Sequence, residues 1–310
     1  MRLKGFFVCL LCAGMFFRSD NSFAAYSIDN FESFEKVPLE YAQILPSNAE
    51  LMGRRERVVV LRFEDGLLRG AGATLSERIR KEVSDTGATL IDQTLPPRLM
   101  RELDITDRRG YAGYKGQDFA DYVITGKITQ ANISRRYDKH YDKNYTTATV
   151  SLAIKITKLP SMQIVKDITE EGQEVTDGFA SSEKLYSAAF EKVMVKAHTH
   201  VKNQFAPVGY VLEHRTYDNV HIFKVSLGKT SGAVPGQKVL FIKSVPDKNP
   251  LTGVTSVDQV KIAEGEITET LTDSYSFVVI KNKEGMDKIR LGDQVKVLYK
   301  NSIWDHLNML

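Results

Sequence analysis

Apolar positions along the chain fall into two kinds of pattern, divided near Pro207. Val58-Val59-Val60-Leu61-Arg62-Phe63 is a nearly continuous apolar run, the form of a strand covered on both faces. A glycine-bearing turn follows, and in Ala73–Val83 the residues Leu75, Ile79 and Val83 recur every four positions. That spacing predicts a helix with one apolar stripe, with Glu77, Arg78, Arg80 and Lys81 mostly turned away from it. Gly87 ends the helix, and Ala88–Ile91 reads as a second strand. Pro96 and Pro97 open a short helix through Leu99, Met100 and Leu103. After a polar loop, Ala120–Ile128 is a strong strand. Ala148, Val150, Leu152, Ile154 and Ile156 then alternate with polar residues, and Ile164 begins a partner strand beyond the Lys158–Ser161 turn. Strict alternation marks antiparallel strands covered on one face. Ser181–Phe205 reads as a long helix.

Beyond Pro207 the rhythm changes to short β runs punctuated by Gly, Pro and Asn-Pro: Gly209–Glu213, Val220–Leu227, Lys238–Lys243, Val260–Thr268, Phe277–Ile280 and Gln294–Tyr299. Five or six short strands without a helical pattern between them predict a small barrel. The expected fold class is therefore α+β: an α/β sandwich with a mixed sheet over residues 58–206, then a small all-β barrel over 207–300. Residues 26–57, with Pro38, Pro46 and the basic group Arg54, Arg55 and Arg57, read as an extended arm or linker; 301–310 form a tail carrying Trp304, the only tryptophan.

The first 25 residues have the layout of a secretory signal. Arg2 and Lys4 supply the positive start, Gly5–Phe17 the apolar core, and Ser22-Phe23-Ala24-Ala25 a small-residue site for cleavage after Ala24 or Ala25. Thirteen apolar residues are too few to span a bilayer comfortably. Both cysteines, Cys9 and Cys12, lie inside this segment, so the remainder has no thiol for a disulfide or a thiolate metal site. Leu11 precedes Cys12 where lipid attachment would need a small residue. Removing Arg2, Lys4, Arg18 and Asp20 leaves the rest almost neutral, which gives no electrostatic footprint for nucleic acid. An almost neutral, cysteine-free, exported chain suggests a bacterial periplasm.

Candidate chemistry is sparse. His198 and His200 diverge on a helix and cannot chelate one metal. His214 and His221 could meet across a hairpin, but no Asp, Glu or Cys cluster supports them, so surface histidines are expected. Gly66, Gly70 and Gly72 sit between a strand and a helix, yet fit neither the phosphate-binding loop nor the dinucleotide spacing. A structural glycine turn is the expectation. Asp138–Lys143 reads as a solvated hairpin tip, and Asn132–Tyr145 as a short polar loop. No catalytic, cofactor-binding or metal-binding set is expected.

Val58–Phe63, Gly70–Glu77 and Ala120–Ile128 (ADYVITGKI) resemble the periplasmic α/β domain of the curli secretion channel family (CsgG), which recurs in the middle of the flagellar assembly protein T family (FlgT). Val225–Gly228, Gly232–Val239 and Ile289–Val295 resemble the SH3-like domain that ends the flagellar family. The resemblance implies a non-enzymatic assembly protein of an envelope machine, most readily a flagellar basal-body ring, with copies associating side by side through the α/β domain. It further implies peripheral association with the outer membrane or peptidoglycan. Arg69, Arg78, Arg135, Arg136 and Trp304 are the expected partner contacts. Two other roles fit the same residues: a subunit of a curli-type secretion apparatus, and a peptidoglycan- or ligand-binding module using a barrel groove around Tyr210, Tyr217 and Phe241.

Overall fold

The computed structural model of the chain describes residues 34–51, 55–66, 68–91, 120–178, 180–217, 220–280 and 284–300. The expected signal segment, the short helix after Pro96 and the Trp304 tail lie outside the described residues. In chain order the elements are β1 (Glu35–Val37), α1 (Asn48–Leu51), β2 (Arg57–Val60), α2 (Ala71–Asp85), β3 (Thr89–Leu90), β4 (Tyr122–Asp138), β5 (Lys143–Lys158), β6 (Gln163–Asp177) and α3 (Ser182–Gln204). They continue with β7 (Val208–Tyr217), β8 (Val220–Val225), β9 (Lys238–Lys248), β10 (Thr255–Leu271), β11 (Ser276–Ile280) and β12 (Gln294–Leu298). The described residues are mostly strand, in an α+β arrangement whose two long helices, α2 and α3, belong to one unit.

Five strands form a mixed sheet in the order β3-β2-β4-β5-β6. The β2 pairings are parallel and the β4-β5-β6 ladder is antiparallel. Both helices lie on one face. Leu75, Ile79 and Val83 of α2 meet Val58, Val60 and Ile124, while Leu185, Ala189, Val193, Ala197 and Val201 of α3 cover Leu152, Ile154 and Ile168. The four-residue stripe and the period-two strand thus bury the same core, and removing this apolar area from water is the main drive for the unit. Gly172 lets α3 approach β6: a Cβ there would fall 2.1 Å from the Ala189 carbonyl oxygen and 2.6 Å from the Val193 nitrogen.

The expected short loop over Asn132–Tyr145 is instead ladder. Strands β4 and β5 stay paired from Tyr122↔Lys158 to Asp138↔Lys143, leaving only the Lys139–Asp142 turn between them. A bulge at Thr129 separates the Ile128↔Leu152 pair from Gln130↔Ser151, so the core face of β4 shifts by one residue, to Ala131 and Ile133. Beyond them backbone pairing carries the hairpin out with polar side chains on both faces.

The second unit is a closed antiparallel barrel. Strands β7-β12-β9-β10-β11-β8 are neighbours in that order, and β8 pairs back onto β7 to complete the ring. Its interior holds Val211, Phe223, Val225, Val239, Phe241, Ile267, Val278, Val295 and Val297. A β9–β10 ribbon extends from the barrel and ends near Leu251, which is 94% exposed.

Residues 34–51, within the stretch expected to be an extended arm, lie on the barrel. Strand β1 pairs with β7 through Glu35↔Thr216 to Val37↔His214. The Phe34 ring stacks on Tyr217 at 5.1 Å, and Ala42 N and Leu291 N donate to Leu291 O and Glu40 O. The barrel unit is therefore assembled from both sides of the α/β unit in sequence. Nothing in a short segment with two prolines signals a partner strand some 180 residues away.

Candidate interdomain site

The two units meet along a cleft of about 560 Å³. The α/β side contributes Arg55 and Glu56 at the start of β2, Thr86–Ala88 after α2, and Gln204–Ala206 at the end of α3. The barrel side contributes Val208 and Tyr210 of β7, Gln259 of β10, Gln294 and Lys296 of β12, and Thr230 and Ser231 of a 3₁₀ turn; Glu50 closes one end from α1. Direct bonds hold the walls together. Arg55 Nη2 donates to Thr230 O at 2.5 Å, and the Asn203 side chain both donates to Tyr299 O (2.8 Å) and accepts from Tyr299 N (2.9 Å). Lys202 lies over the Tyr299 ring and pairs with Glu82 at 2.7 Å. Gly87, at φ 84°, turns the chain after α2 in the left-handed region and passes close to the Ser231 carbonyl, 3.2 Å from where a Cβ would sit.

Alternation on β12 orients the cleft chemistry. Val295 and Val297 point into the barrel core, so Gln294 and Lys296 point the other way, into the cleft. Burial pushes the Lys296 ammonium below its usual range, opposed by the charge of Glu56. Burial likewise raises the Glu56 carboxyl, against the hydrogen bond it takes from Tyr122. The Tyr122 phenol is pushed up to about 12, first by burial and then by Glu56. Its ring packs edge-on against Phe205, which lines the cleft. One residue along, Asp121 accepts from Arg57 N at 2.8 Å and from Arg57 Nη2 at 3.2 Å, fixing the start of β2 against β4.

The residues expected as contacts do not converge. Arg69 is exposed on the β2–α2 turn. Arg78 clamps α2 to α3, its two terminal nitrogens donating to the Glu191 carboxylate at 2.5 and 2.6 Å. Arg135 and Arg136 are exposed on opposite faces of the outer part of β4. Trp304 lies outside the described residues. Of the expected groove aromatics, Phe241 is fully buried in the barrel and Tyr217 is stacked on Phe34, so only Tyr210 reaches the cleft. The expectation of surface histidines fails at His214. It is buried, stacked on Phe223 at 4.2 Å, and hydrogen-bonded to His221 across the β7–β8 hairpin at 3.1 Å. Among the described residues no group of three His, Cys, Asp or Glu could hold a metal.

The glycine turn has its own occupant. Asp65 Oδ1 accepts from Gly72 N at 2.9 Å, and the Gly70 and Gly72 amides together hold its carboxyl below the usual range. The donors that a phosphate would use are taken by a side chain. Sequence spacing gave no sign of Glu56, Tyr122 or Lys296 as a group, because three separate elements bring them together.

No family model matches the chain, and no curated protein matches it. Solved structures similar to part of it include the hypothetical protein CT253 from Chlamydia trachomatis, at 9% identity over 48% of this chain and 98% of that one, TM-score 0.32. A PelC dodecamer from Paraburkholderia phytofirmans matches at 13% identity over 54% and 96%, TM-score 0.28. The lipoprotein GNA1162 from Neisseria meningitidis matches at 12% over 44% and 97%, TM-score 0.25. Likeness at this level assigns neither a family nor a role. Among the described residues, no helix is long and apolar enough to cross a membrane.

Proposed function

We propose that this chain is an exported, non-enzymatic building block of a bacterial envelope machine, whose copies associate side by side through the α/β unit. The observation that supports this reading is the free edge of β6. Fifteen residues long, it closes the five-stranded sheet with no further strand beside it among the described residues, and only its Glu171 carbonyl is taken, by Lys196 Nζ at 2.7 Å. Natural proteins blunt or cover such edges, so one of this length invites a neighbour. Of its acidic residues Glu170, Glu174 and Asp177 pair within the chain with His200, Lys192 and Lys143, which leaves Asp167 and Glu171 to face a neighbour. The opposite flank of the same sheet, where β2 runs into α2, exposes Arg62 and Arg69. Acidic edge to basic flank is a head-to-tail contact, the kind that repeats around a ring.

The narrower reading is a flagellar basal-body ring. In it the α/β unit stands for the curli-channel type of domain and the barrel for the SH3-like domain of the flagellar assembly protein T family, with the export signal delivering the chain to the periplasm. Peripheral association with the outer membrane or peptidoglycan fits the same placement.

Sedimentation of the full chain tests the association. Oligomers are expected at about 50 mM salt and dissociation at about 500 mM, where exposed charges are screened within a few ångströms. Glu171→Lys is expected to weaken the oligomer in the same way as salt. A monomer at every concentration and salt would overturn the reading. Deleting the gene and examining motility and isolated basal bodies separates the flagellar ring from other envelope machines: lost motility with a missing ring supports it, and intact basal bodies refute it.

A further inference from the structure

The cleft between the two units has the size and placement of a small-molecule site, since such sites measure roughly 300–1,000 Å³ and favour domain interfaces. Its charges are balanced: Arg55 and Lys296 face Glu50 and Glu56. Three of the four are engaged. Arg55 donates to the Thr230 carbonyl, Glu50 accepts from both the backbone nitrogen and the hydroxyl of Ser47 at 2.7 Å, and Glu56 takes the Tyr122 hydroxyl. Lys296 is the exception. Half-buried and directed into the cleft by the alternation of β12, it makes no hydrogen bond or ion pair among the described residues.

Of the hydroxyls in the lining, those of Thr86 and Thr230 donate to the Val83 and Asp273 carbonyls, and the larger polar side chains left are amides. Gln204, Gln259 and Gln294 enter from three elements, and each side chain can both donate and accept. Gln259 and Gln294 already share one bond, at 3.2 Å, which leaves the other half of each amide for a ligand. Phe205, Ala206, Pro207 and Val208 supply an apolar wall. We propose that this cleft binds a short zwitterionic peptide, with its terminal carboxylate on Lys296 and its peptide units read by the three glutamines.

The lining selects within anionic ligands. A single ammonium with no hydrogen-bonded partner matches a monovalent carboxylate, and the one positive and two negative charges of Arg55, Glu50 and Glu56 suit the ammonium end of a zwitterion. A phosphate dianion calls for a forked guanidinium or a set of converging backbone amides. The one guanidinium here is spent on Thr230, and the glycine amides of the β2–α2 turn are spent on Asp65. A peptide fits the rest because amide pairs with amide, and a net-neutral ligand leaves the charge balance of the cleft undisturbed.

Calorimetric titration of the full chain with trialanine tests the assignment. Saturable one-to-one binding is expected, reduced at least tenfold when the peptide carboxylate is capped as an amide and reduced at least tenfold by Lys296→Gln. Lys139→Gln, on the far hairpin turn, is expected to bind as the parent does. Gln204→Ala provides a second reading of the amide wall and is expected to weaken trialanine several-fold, whether or not Lys296→Gln folds. Equal binding of capped and free peptide, equal competition by acetate, or no saturable binding would each overturn the proposal.

Discussion

At the scale of single residues, burial decides behaviour more than residue type does. His214 is 6% exposed, packed flat on Phe223 and bonded to His221, and its pKa falls to about 4, first through burial and then through repulsion from His221. In the unfolded chain the same imidazole titrates near 6.5. Its folded pKa is depressed, so the unfolded state takes up the proton first as the pH falls. The stability tied to neutral His214 is complete above about pH 6.5 and is lost progressively as the pH falls toward 4. Urea titrations followed by circular dichroism should show up to about 3 kcal/mol of this loss between pH 7 and 4. His214→Phe, which keeps the stack, should flatten the profile. Gly172 is the opposite kind of position, exposed to sequence change through space alone. Gly172→Val places atoms where the Ala189 carbonyl and the Val193 nitrogen already sit, and it should cost about 2 kcal/mol or more in the same titration.

At the scale of elements, ion pairs on the helices contribute less than their geometry suggests. The Arg78–Glu191 pair is bidentate, but its side chains are 41% and 43% exposed, and water screens a pair at that depth. Arg78→Ala should lower stability by no more than about 1 kcal/mol, as measured by thermal unfolding. The elements themselves were legible wherever one period held without interruption. The Leu75–Ile79–Val83 stripe is α2, the Ala148–Ile156 alternation is the centre of β5, and Ser181, whose hydroxyl accepts from Lys184 N, caps α3 at the start read from sequence. Strand β4 was legible only to Ile128, because the bulge at Thr129 breaks the alternation and the polar residues beyond it carry no core signal. The barrel strands were found in outline for the same reason of period, while their ring order, with β12 between β7 and β9, depends on pairings distant in sequence. The cleft was illegible for a related reason: Glu56, Gln204, Gln259 and Lys296 each read as an ordinary surface residue until four elements are brought together.

At the scale of the whole molecule, the question is whether the units behave as two bodies or one. The chain enters the barrel at β1, leaves to build the α/β unit, and returns at Val208, so two strands of chain cross between them. Asn203 sits at the second crossing and satisfies both polar groups of the Tyr299 backbone. Lys202 reinforces it by packing over the Tyr299 ring while pairing with Glu82 of α2. Asn203→Ala would strand one backbone donor and one acceptor at the joint, a loss of about 1–3 kcal/mol. That loss falls on the contact between the units and not on either core. The parent chain should therefore unfold in one calorimetric transition, and Asn203→Ala should resolve two, the barrel and the α/β unit melting separately. A protease added to the variant should then cut first near Ala206-Pro207, where the chain passes from one unit to the other. A single shifted transition with no new cleavage there would mean that the two crossings of the chain, and not Asn203, hold the units together.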